Sequence, residues 1–586
     1  MLTDEVVTSQ GTPQHGRQLN RWRLGVIGAV VALAAGIGAV LGFSLVGERT
    51  GALGTAASYL PADTVMYGEV QLDLSPGQAA SLHAILERFP AADADLVPLN
   101  AIADAVDQGL GASGSGLTYA KDIGPWFDGR VSFAMLDYPV GSTDAARATL
   151  PDMAALLGVK DPAAARAFSD KVRDLAGKSG TSLTSSEHAG VTIWSAEGDV
   201  QLAANTGFAY AVTADELVLA NGRTTIESML DAHGASQNLG ARQELDELIG
   251  HLPADRVGFF AVDTRQMVEE LRTQVEQKDP SLAALLDRYV ANIPPFAVSS
   301  LSLQPDALAF DGASTLPGGD LAPTNSRRDL ASRVPSDTLF FADGGKLGSS
   351  LAQFVTGVKA GLAAQSGGDQ ASTQLEQVEA AMGANAEDFV SWIGDGALAV
   401  GATGGTPWGG LVLEANDAAV ATQRLNQLRS LVELGAQASG QQVAVTTETV
   451  GGVEVTTIRA ATGASGDAAP AMPEIVAQYA MKDDTVFIGF GDGFVARSLG
   501  LNSADSLARS DRFNAAVARF GGDDNAGMAF VDLAGIRAAV EAAAGQMLPS
   551  EYEGQVKPNV EPLDYLVYLT KVEGDVVVTR GGLVLK

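Results

Sequence analysis

The feature that most constrains the fold is a long internal repeat. Residues 211–312 align with residues 480–581 without gaps, at a fixed offset of 269. Apolar runs and turn residues coincide in the two segments, so that Leu217-Val218-Leu219 matches Val486-Phe487-Ile488. The period is far longer than the roughly 20–50 residues of a solenoid unit. Each copy is therefore expected to be a domain, or half of a pseudo-symmetric one.

With small gaps the match extends upstream, where a helix is predicted over residues 161–176 of the first segment and over residues 417–434 of the second. We therefore predict two tandem homologous halves, residues 57–318 and 330–586. The segment between them, 319–329, has linker composition. The first residues of the chain, 1–23, have no apolar period and are predicted to be a disordered cytoplasmic tail.

Four segments share one local arrangement, in which turn residues precede a buried strand and a helix follows it. They begin at Leu60, Leu252, Val334 and Gly522. Proline presets φ and aspartate accepts backbone hydrogen bonds, which explains why such residues launch a strand. The segments 207–212 and 216–220 are spaced as an antiparallel hairpin. We predict an α+β fold in which antiparallel sheets are covered by helices.

An apolar segment without any charged residue extends from Leu24 to Gly47. As a helix it would span about 36 Å, enough to cross the hydrocarbon core of a bilayer. We therefore predict an uncleaved N-terminal transmembrane helix over residues 24–47, which anchors a single-pass protein in the cell membrane. Arg17, Arg21 and Arg23 precede this segment, so the positive-inside rule places the N-terminus in the cytoplasm and the bulk of the chain outside it.

Composition excludes several classes of function. The 586-residue chain has 70 acidic and 38 basic residues, for a formal net charge of −32. Nucleic-acid binding is not expected, because the phosphate backbone requires a basic surface. The chain has no cysteine, which excludes disulfide scaffolds, cysteine-ligated metals and cysteine nucleophiles.

Motifs for catalysis are incomplete in this sequence. Gly177-Lys178-Ser179 resembles the end of a phosphate-binding loop, but Val172 stands where that motif requires glycine and the segment ends a predicted helix. Four histidines lie beyond the apolar segment: His83, His188, His233 and His251. No two of them are spaced i, i+4 on one helix, so a zinc-protease motif is excluded.

Acidic turns are the remaining candidates for a metal site. They are Asp93 with Asp95, Asp483 with Asp484, and Asp523 with Asp524. None fits the spacing of a calcium-binding loop, and solvated turn carboxylates explain them. We accordingly predict no catalytic, cofactor-binding or metal-binding residues, and no cofactor.

The segment from Tyr59 to Val70, which reads YLPADTVMYGEV, resembles a bacterial membrane-anchored family catalogued as domain of unknown function 3352. Two further stretches add to the resemblance: Ser332 to Thr338, and the Trp-x-Gly-Asp-Gly run from Trp392 to Gly396. These motifs are turn-and-strand signatures that say nothing about chemistry. The resemblance implies an anchored envelope protein and brings no catalytic residues with it.

The sequence favours a binding or scaffold role for a large extracytoplasmic region, without enzymatic activity. One alternative is an envelope carrier of a lipid or other apolar ligand, which predicts a continuous apolar cavity. Another is an extracytoplasmic hydrolase, which predicts polar residues with perturbed pKa values converging in one deep pocket. The expected partners are the bilayer, through residues 24–47, and either an envelope protein or an apolar ligand.

Overall fold

A computed structural model describes most of the chain after residue 52. The described ranges are 53–92, 98–113, 115–137, 151–178, 182–196, 208–235, 237–278, 293–327, 329–364, 382–403, 406–439, 443–460, 475–491, 493–545 and 548–586, with residues 286, 290, 373, 376–377 and 379–380. The chain divides into two compact units. The first comprises the chain up to Ala80 together with Asp95–Gln266, and the second comprises Ser81–Ala94 together with Met267–Lys586.

The first unit is built on eight antiparallel strands. They are β1 (Met66–Gln71), β2 (Phe127–Met135), β3 (Met153–Val159), β4 (Leu183–His188), β5 (Val191–Ala196), β6 (Ala209–Val212), β7 (Glu216–Ala220) and β8 (Gly258–Asp263). Their order across the sheet is β8-β1-β2-β3-β7-β6-β5-β4. The predicted hairpin is present as β6 and β7, which pair directly.

Some helices of the first unit begin at proline or at a capping aspartate. The helices of this unit are α2 (Pro98–Ser113), α3 (Pro162–Lys178), α4 (Arg223–Gly234) and α5 (Gln243–Ile249); α1 (Pro76–Leu86) and α6 (Thr264–Lys278) belong partly to each unit. At α3, the Asp161 carboxylate accepts hydrogen bonds from the amides of Ala163 and Ala164, each at 3.0 Å. Proline at the first position costs nothing there, because that amide has no helical partner.

The second unit contains twelve strands in one antiparallel arrangement and a separate two-stranded pair. The strands are β9 (Phe296–Gln304), β10 (Ala307–Thr315), β11 (Ser326–Arg327), β12 (Thr338–Gly344), β13 (Ile393–Thr403), β14 (Thr406–Ala415), β15 (Val443–Val450), β16 (Val453–Ala460), β17 (Ile475–Lys482), β18 (Thr485–Phe490), β19 (Asp524–Asn525), β20 (Gly527–Asp532), β21 (Leu563–Glu573) and β22 (Val576–Leu585). The main order is β9-β10-β22-β21-β20-β12-β13-β14-β18-β17-β16-β15. Strands β11 and β19 pair with each other.

Helices of the second unit are distributed between these strands. They are α7 (Leu347–Ala364), α8 (Ala386–Val390), α9 (Ala418–Ser439), α10 (Phe494–Leu499), α11 (Asp511–Phe520), α12 (Leu533–Ala544) and α13 (Lys557–Val560). The α9 helix begins as α3 does: the Asp417 carboxylate accepts from the amides of Ala419 and Val420, at 2.9 and 3.0 Å. Aspartate satisfies amides that have no partner in the first turn.

One strand order occurs twice in the described chain. The series β8-β1-β2-β3-β7-β6-β5-β4 of the first unit recurs in the second as β20-β12-β13-β14-β18-β17-β16-β15. The division into halves at residues 57–318 and 330–586 with a linker at 319–329 stays a prediction. The compact units divide the chain at other residues, since β9 and β10 belong to the second unit.

Each unit has its own apolar core. In the first unit, Trp126, Phe127, Phe168 and Tyr210 belong to one buried cluster with strand residues of β2, β3 and β7. In the second unit, one cluster surrounds Phe341, Phe513 and Phe530, whose rings meet edge to face at centroid distances of 5.9 and 5.4 Å. A smaller cluster places Trp392 against α9 residues.

The fold-class prediction is wrong in its N-terminal transmembrane helix. Within the part of the chain that the structure describes, no helix combines enough length with enough apolar character to cross a bilayer. The longest, α9, has 22 residues but carries Arg424, Arg429 and Glu433, which a membrane-spanning helix would have to bury in hydrocarbon. Residues 24–47 lie outside the described residues. The described chain is mostly antiparallel sheet with helices.

Candidate functional site

A pocket of about 620 Å³ is formed entirely by residues of the first unit. Its walls come from the short 3-10 helix Thr55–Tyr59, from α3 and α4, from the β4–β5 hairpin and from the turn between β6 and β7. The volume falls within the roughly 300–1,000 Å³ that is usual for small-molecule sites.

Helix α3 contributes one stripe of side chains to this pocket. Arg166, Ser169, Asp170 and Arg173 all line it. These positions are spaced by three or four residues, so they share one face of the helix. The adjoining face of α3 buries Ala165, Phe168 and Ala176 together with Ser169, which fixes how the stripe is presented.

The guanidinium of Arg173 is held from two directions. Its central carbon lies 4.1 Å from the ring centroid of Trp194 on β5, a cation–π contact. Its Nη2 donates to Asp170 Oδ1 at 2.8 Å. A planar cation stacked on one face and bonded at one edge has a defined orientation.

The lining of the pocket also contains a stacked pair of rings. The rings of Tyr59 and His233 are parallel to within 2°, with their centroids 3.8 Å apart. His233 Nδ1 is 3.1 Å from Ser58 Oγ, which sets the rotation of the imidazole. Tyr59 is almost fully buried, and burial raises the pKa of its hydroxyl. The two rings therefore form a flat surface, and the Tyr59 hydroxyl in it is neutral at ordinary pH.

Two further contacts tie the pocket to the sheet. Ser169 Oγ donates to the Tyr210 hydroxyl at 3.3 Å. At the β6–β7 turn, the Glu216 amide donates to Thr213 Oγ1 at 3.0 Å. Thr213 lines the pocket while Glu216 begins β7, so this turn connects the pocket wall to a buried charge.

The buried charge of Glu216 belongs to an ion pair inside the first unit. Arg130 Nη2 on β2 lies 2.7 Å from Glu216 Oε1, and the two side chains are 11% and 1% exposed. Thr55 Oγ1 donates to the same carboxylate oxygen at 3.0 Å. Burial raises the pKa of Glu216 to about 7, although Arg130 and Thr55 act to lower it. The pair holds the 3-10 helix that carries Tyr59 against the sheet.

Glu216 has the shifted pKa expected of a catalytic acid or base, but not the access. Its side chain is enclosed by Arg130, Thr55 and the strands, so a ligand in the pocket does not reach its oxygens. The arrangement can orient and bind a ligand; it does not place a proton donor against one.

The second unit has a smaller pocket, of about 460 Å³, at the matching place in its strand order. It is lined by residues of α9, β16 and β17, which correspond to α3, β5 and β6. Its lining differs in chemistry. Thr456 stands where Trp194 stands relative to the hairpin turn, and Glu454 stands where Thr192 does.

The histidines considered from sequence have separate surroundings. His83 Nε2 lies 3.1 Å from Glu87 Oε1 on the surface of α1. His188 Nε2 lies 2.7 Å from Asp231 Oδ1, a contact between the β4–β5 hairpin and α4. His251 follows α5 in a turn. Only His233, of these four, lines the pocket of the first unit.

The acidic turns do not form a metal site among the described residues. Asp93 and Asp95 lie outside those residues. Asp483 and Asp484 form the β17–β18 turn, and Asp523 lies 3.7 Å from Arg327. Across the described ranges no group of three or more His, Asp or Glu side chains is placed to hold a metal ion. Gly177 and Lys178, which resemble the end of a phosphate-binding loop in sequence, are the last two residues of helix α3.

Sequence reasoning missed the residues that line the pocket. The signal that could have found them is the stripe Arg166, Ser169, Asp170, Arg173, because the helix itself is predicted and this spacing selects one face. Nothing local in the sequence shows that Trp194 and His233 meet that stripe.

The fold and the pocket define a protein of two compact antiparallel units, one of which carries an open site lined by arginine and aromatic side chains. The chain belongs to the family described as Protein of unknown function (DUF3352), whose model matches residues 26–566. No curated protein matches it.

Among solved structures, the chain is similar to two crystal forms of TP0453. Crystal form III is 10% identical, with 45% of this chain and 80% of that chain covered and a TM-score of 0.23. Crystal form I is 9% identical, with 47% of this chain and 90% of that chain covered and a TM-score of 0.22.

Proposed function

We propose that this protein binds a small molecule without transforming it, and that the pocket of the first unit is the binding site. The observation that carries this proposal is that two of the pocket's polar side chains are already oriented by their neighbours. Arg173 is fixed by Trp194 and Asp170, and His233 by Tyr59 and Ser58. A site that needs little ordering on binding loses little of its interaction free energy.

The lining argues against a carrier of apolar chains at this site. Two arginines and an aspartate on the α3 stripe face the pocket. Covering charged groups with an acyl chain would cost their hydration without replacing their hydrogen bonds. The burial of Glu216 argues likewise against the hydrolase. The extracytoplasmic location and an envelope-protein partner stay predictions of the sequence.

The test is ligand-observed NMR with the full chain and a mixed library of small organic fragments. In the variant Thr192→Trp, an indole projects into the first pocket from β5, and we expect it to remove binding. The matched control is Glu454→Trp, which places the same ring at the corresponding position of the second pocket. The control is expected to keep the binding seen in the unmodified chain.

Retained binding in Thr192→Trp would overturn the assignment of the site. An equal loss in both variants would do so as well, because the effect would then not belong to the first pocket. Turnover of a fragment by the full chain would overturn the non-catalytic role.

A further inference from the structure

We propose that the ligand of the first pocket is a singly charged aromatic carboxylate. This inference rests on the proposed function and adds the chemical class of the ligand. It follows from the charge of the lining, the geometry of one guanidinium and the aromatic side chains that line the pocket.

The pocket is locally positive on a strongly acidic protein. Its lining includes the charged side chains Arg166, Arg173 and Asp170, which sum to one positive charge. The chain as a whole carries −32. A monoanion neutralises this lining, whereas a dianion such as phosphate would leave excess negative charge beside Asp170. Like charges that lie this close repel each other.

Arg173 favours a planar acid group. A guanidinium carries five N–H donors in a fixed fork that matches the two oxygens of a carboxylate. The hydrogen bond to Asp170 Oδ1 uses one of these donors. The stacking on Trp194 keeps the plane of the fork fixed. Arg166 lies two helical turns away on the same face of α3, so a second guanidinium is within the same pocket.

Flat surfaces make up the rest of the recognition. Trp194 and the parallel Tyr59–His233 pair all line the pocket. Aromatic ligands gain both buried area and specific stacking from such side chains. The volume of about 620 Å³ accommodates a bicyclic ring with room for its acid group.

The experiment is isothermal titration of the full chain with 2-naphthoate, compared with the neutral 2-naphthamide, the non-aromatic cyclohexanecarboxylate and inorganic phosphate. We expect 2-naphthoate to bind at least about 10-fold more tightly than each of the other three. Arg173→Gln is expected to weaken 2-naphthoate by about 10-fold or more, since it removes the charge-assisted pair. Arg173→Lys should recover only part of that loss, because lysine lacks the fork.

The control is Arg429→Gln. Arg429 stands at the same distance from the capping aspartate of α9 as Arg173 does from that of α3, and it pairs with Glu433 at 3.1 Å. The Arg429→Gln substitution should leave the affinity for 2-naphthoate unchanged. Equal affinity for 2-naphthoate and 2-naphthamide, or an unchanged affinity in Arg173→Gln, would overturn the ligand class.

The two proposals fail in different ways. If Thr192→Trp blocks fragments in the NMR experiment but 2-naphthoate does not bind, the site stands and the ligand class is wrong. If neither 2-naphthoate nor any fragment is sensitive to Thr192→Trp, the site itself is wrong.

Discussion

In the first unit, Glu216 begins β7 opposite Gly158 of β3, whereas in the second unit Thr485 begins β18 opposite Glu414 of β14. Strands β3 and β7 of the first unit pair in the same register as β14 and β18 of the second. The glutamate, however, lies on β7 in the first unit and on β14 in the second. A backbone pairing can therefore keep its register while the buried charge beside it moves.

The surroundings of the two carboxylates differ more than their positions. Glu216 is enclosed and faces Arg130. Glu414 is half-buried, and its pKa is raised by burial and by the nearby carboxylates of Asp329, Asp395 and Asp484. One unit therefore neutralises its carboxylate with a cation, and the other surrounds it with like charge. The comparison predicts different responses to mutation, pH and salt.

The largest expected effect is that of Arg130→Met at pH 8. Removing its cation leaves Glu216 buried without an ion-pair partner, and breaking a buried pair in this way costs about 3–5 kcal/mol of unfolding free energy. Hydrogen exchange read by mass spectrometry on β2 and β7 peptides, across a urea series, measures this in the first unit. A change in the second unit at the position that corresponds to Glu216, Thr485→Val, should cost only about 1 kcal/mol. A loss of less than about 1 kcal/mol in Arg130→Met would contradict the conclusion that the Arg130–Glu216 pair stabilises the first unit.

The pH dependence of the first unit is the next effect. The pKa of Glu216 is about 7 when folded, above the ordinary 4.5, because burial disfavours the carboxylate. The native state thus holds the proton more tightly. This stabilisation is present below pH 4.5 and is lost as pH rises to about 7, a change of about 3 kcal/mol. Glu216→Gln should remove this slope from the exchange of β7 peptides; an unchanged slope would assign it to another group.

Salt should separate the two carboxylates by a smaller amount. Raising the ionic strength from about 0.05 to 0.5 M shortens the screening length from roughly 13 to 4 Å. The pKa of half-buried Glu414 should fall, because screening weakens its repulsion from the three aspartates. Enclosed Glu216 should change little. Carbon-13 NMR of glutamate carboxyls checks this, with Glu414→Gln and Glu216→Gln to assign the signals. Equal responses would refute the difference.

The smallest effect concerns the hairpin turns. Ala189-Gly190 joins β4 to β5 with φ of 48° and 77°, and Gly451-Gly452 joins β15 to β16 with φ of 60° and 86°. Gly451→Ala copies the first turn and should cost about 1 kcal/mol, since alanine is strained at positive φ. Ala189→Gly removes that strain and should change the unfolding free energy by less than about 1 kcal/mol. Thermal unfolding monitored by hydrogen exchange distinguishes the two variants. If Gly451→Ala stabilised the protein, the predicted strain at this turn would be wrong.

Local patterns in the sequence correctly predicted most of the helices and strands that were assigned from them. The helix expected over 161–176 is α3, and the helix expected over 417–434 is α9, because each starts at a capping aspartate. What local signals do not carry is which distant strands pair. Strand β3 pairs with β7 across an intervening helix and hairpin, and the register of such pairs depends on packing.

The pocket shows the same limit. The helix carrying Arg173 and the strand segment carrying Glu216 are both predicted, but their surroundings come from elsewhere in the chain. Trp194 meets Arg173 from β5, and Arg130 meets Glu216 from β2. The position of Glu216 at the start of an apolar strand does not predict that its carboxylate is buried. Its burial depends on Arg130, which a different strand supplies.

The pairing of β10 with β22 has a consequence for how the protein is made. Ala307 lies opposite Val584, so β10 is synthesised long before its second neighbour. At about 5–20 residues per second, the interval is roughly 15–55 s. During it β9 can cover one edge of β10, while the other edge keeps unpaired amides and carbonyls. Strands left open at one edge recruit other chains, so the nascent second unit should depend on chaperones until β22 leaves the ribosome.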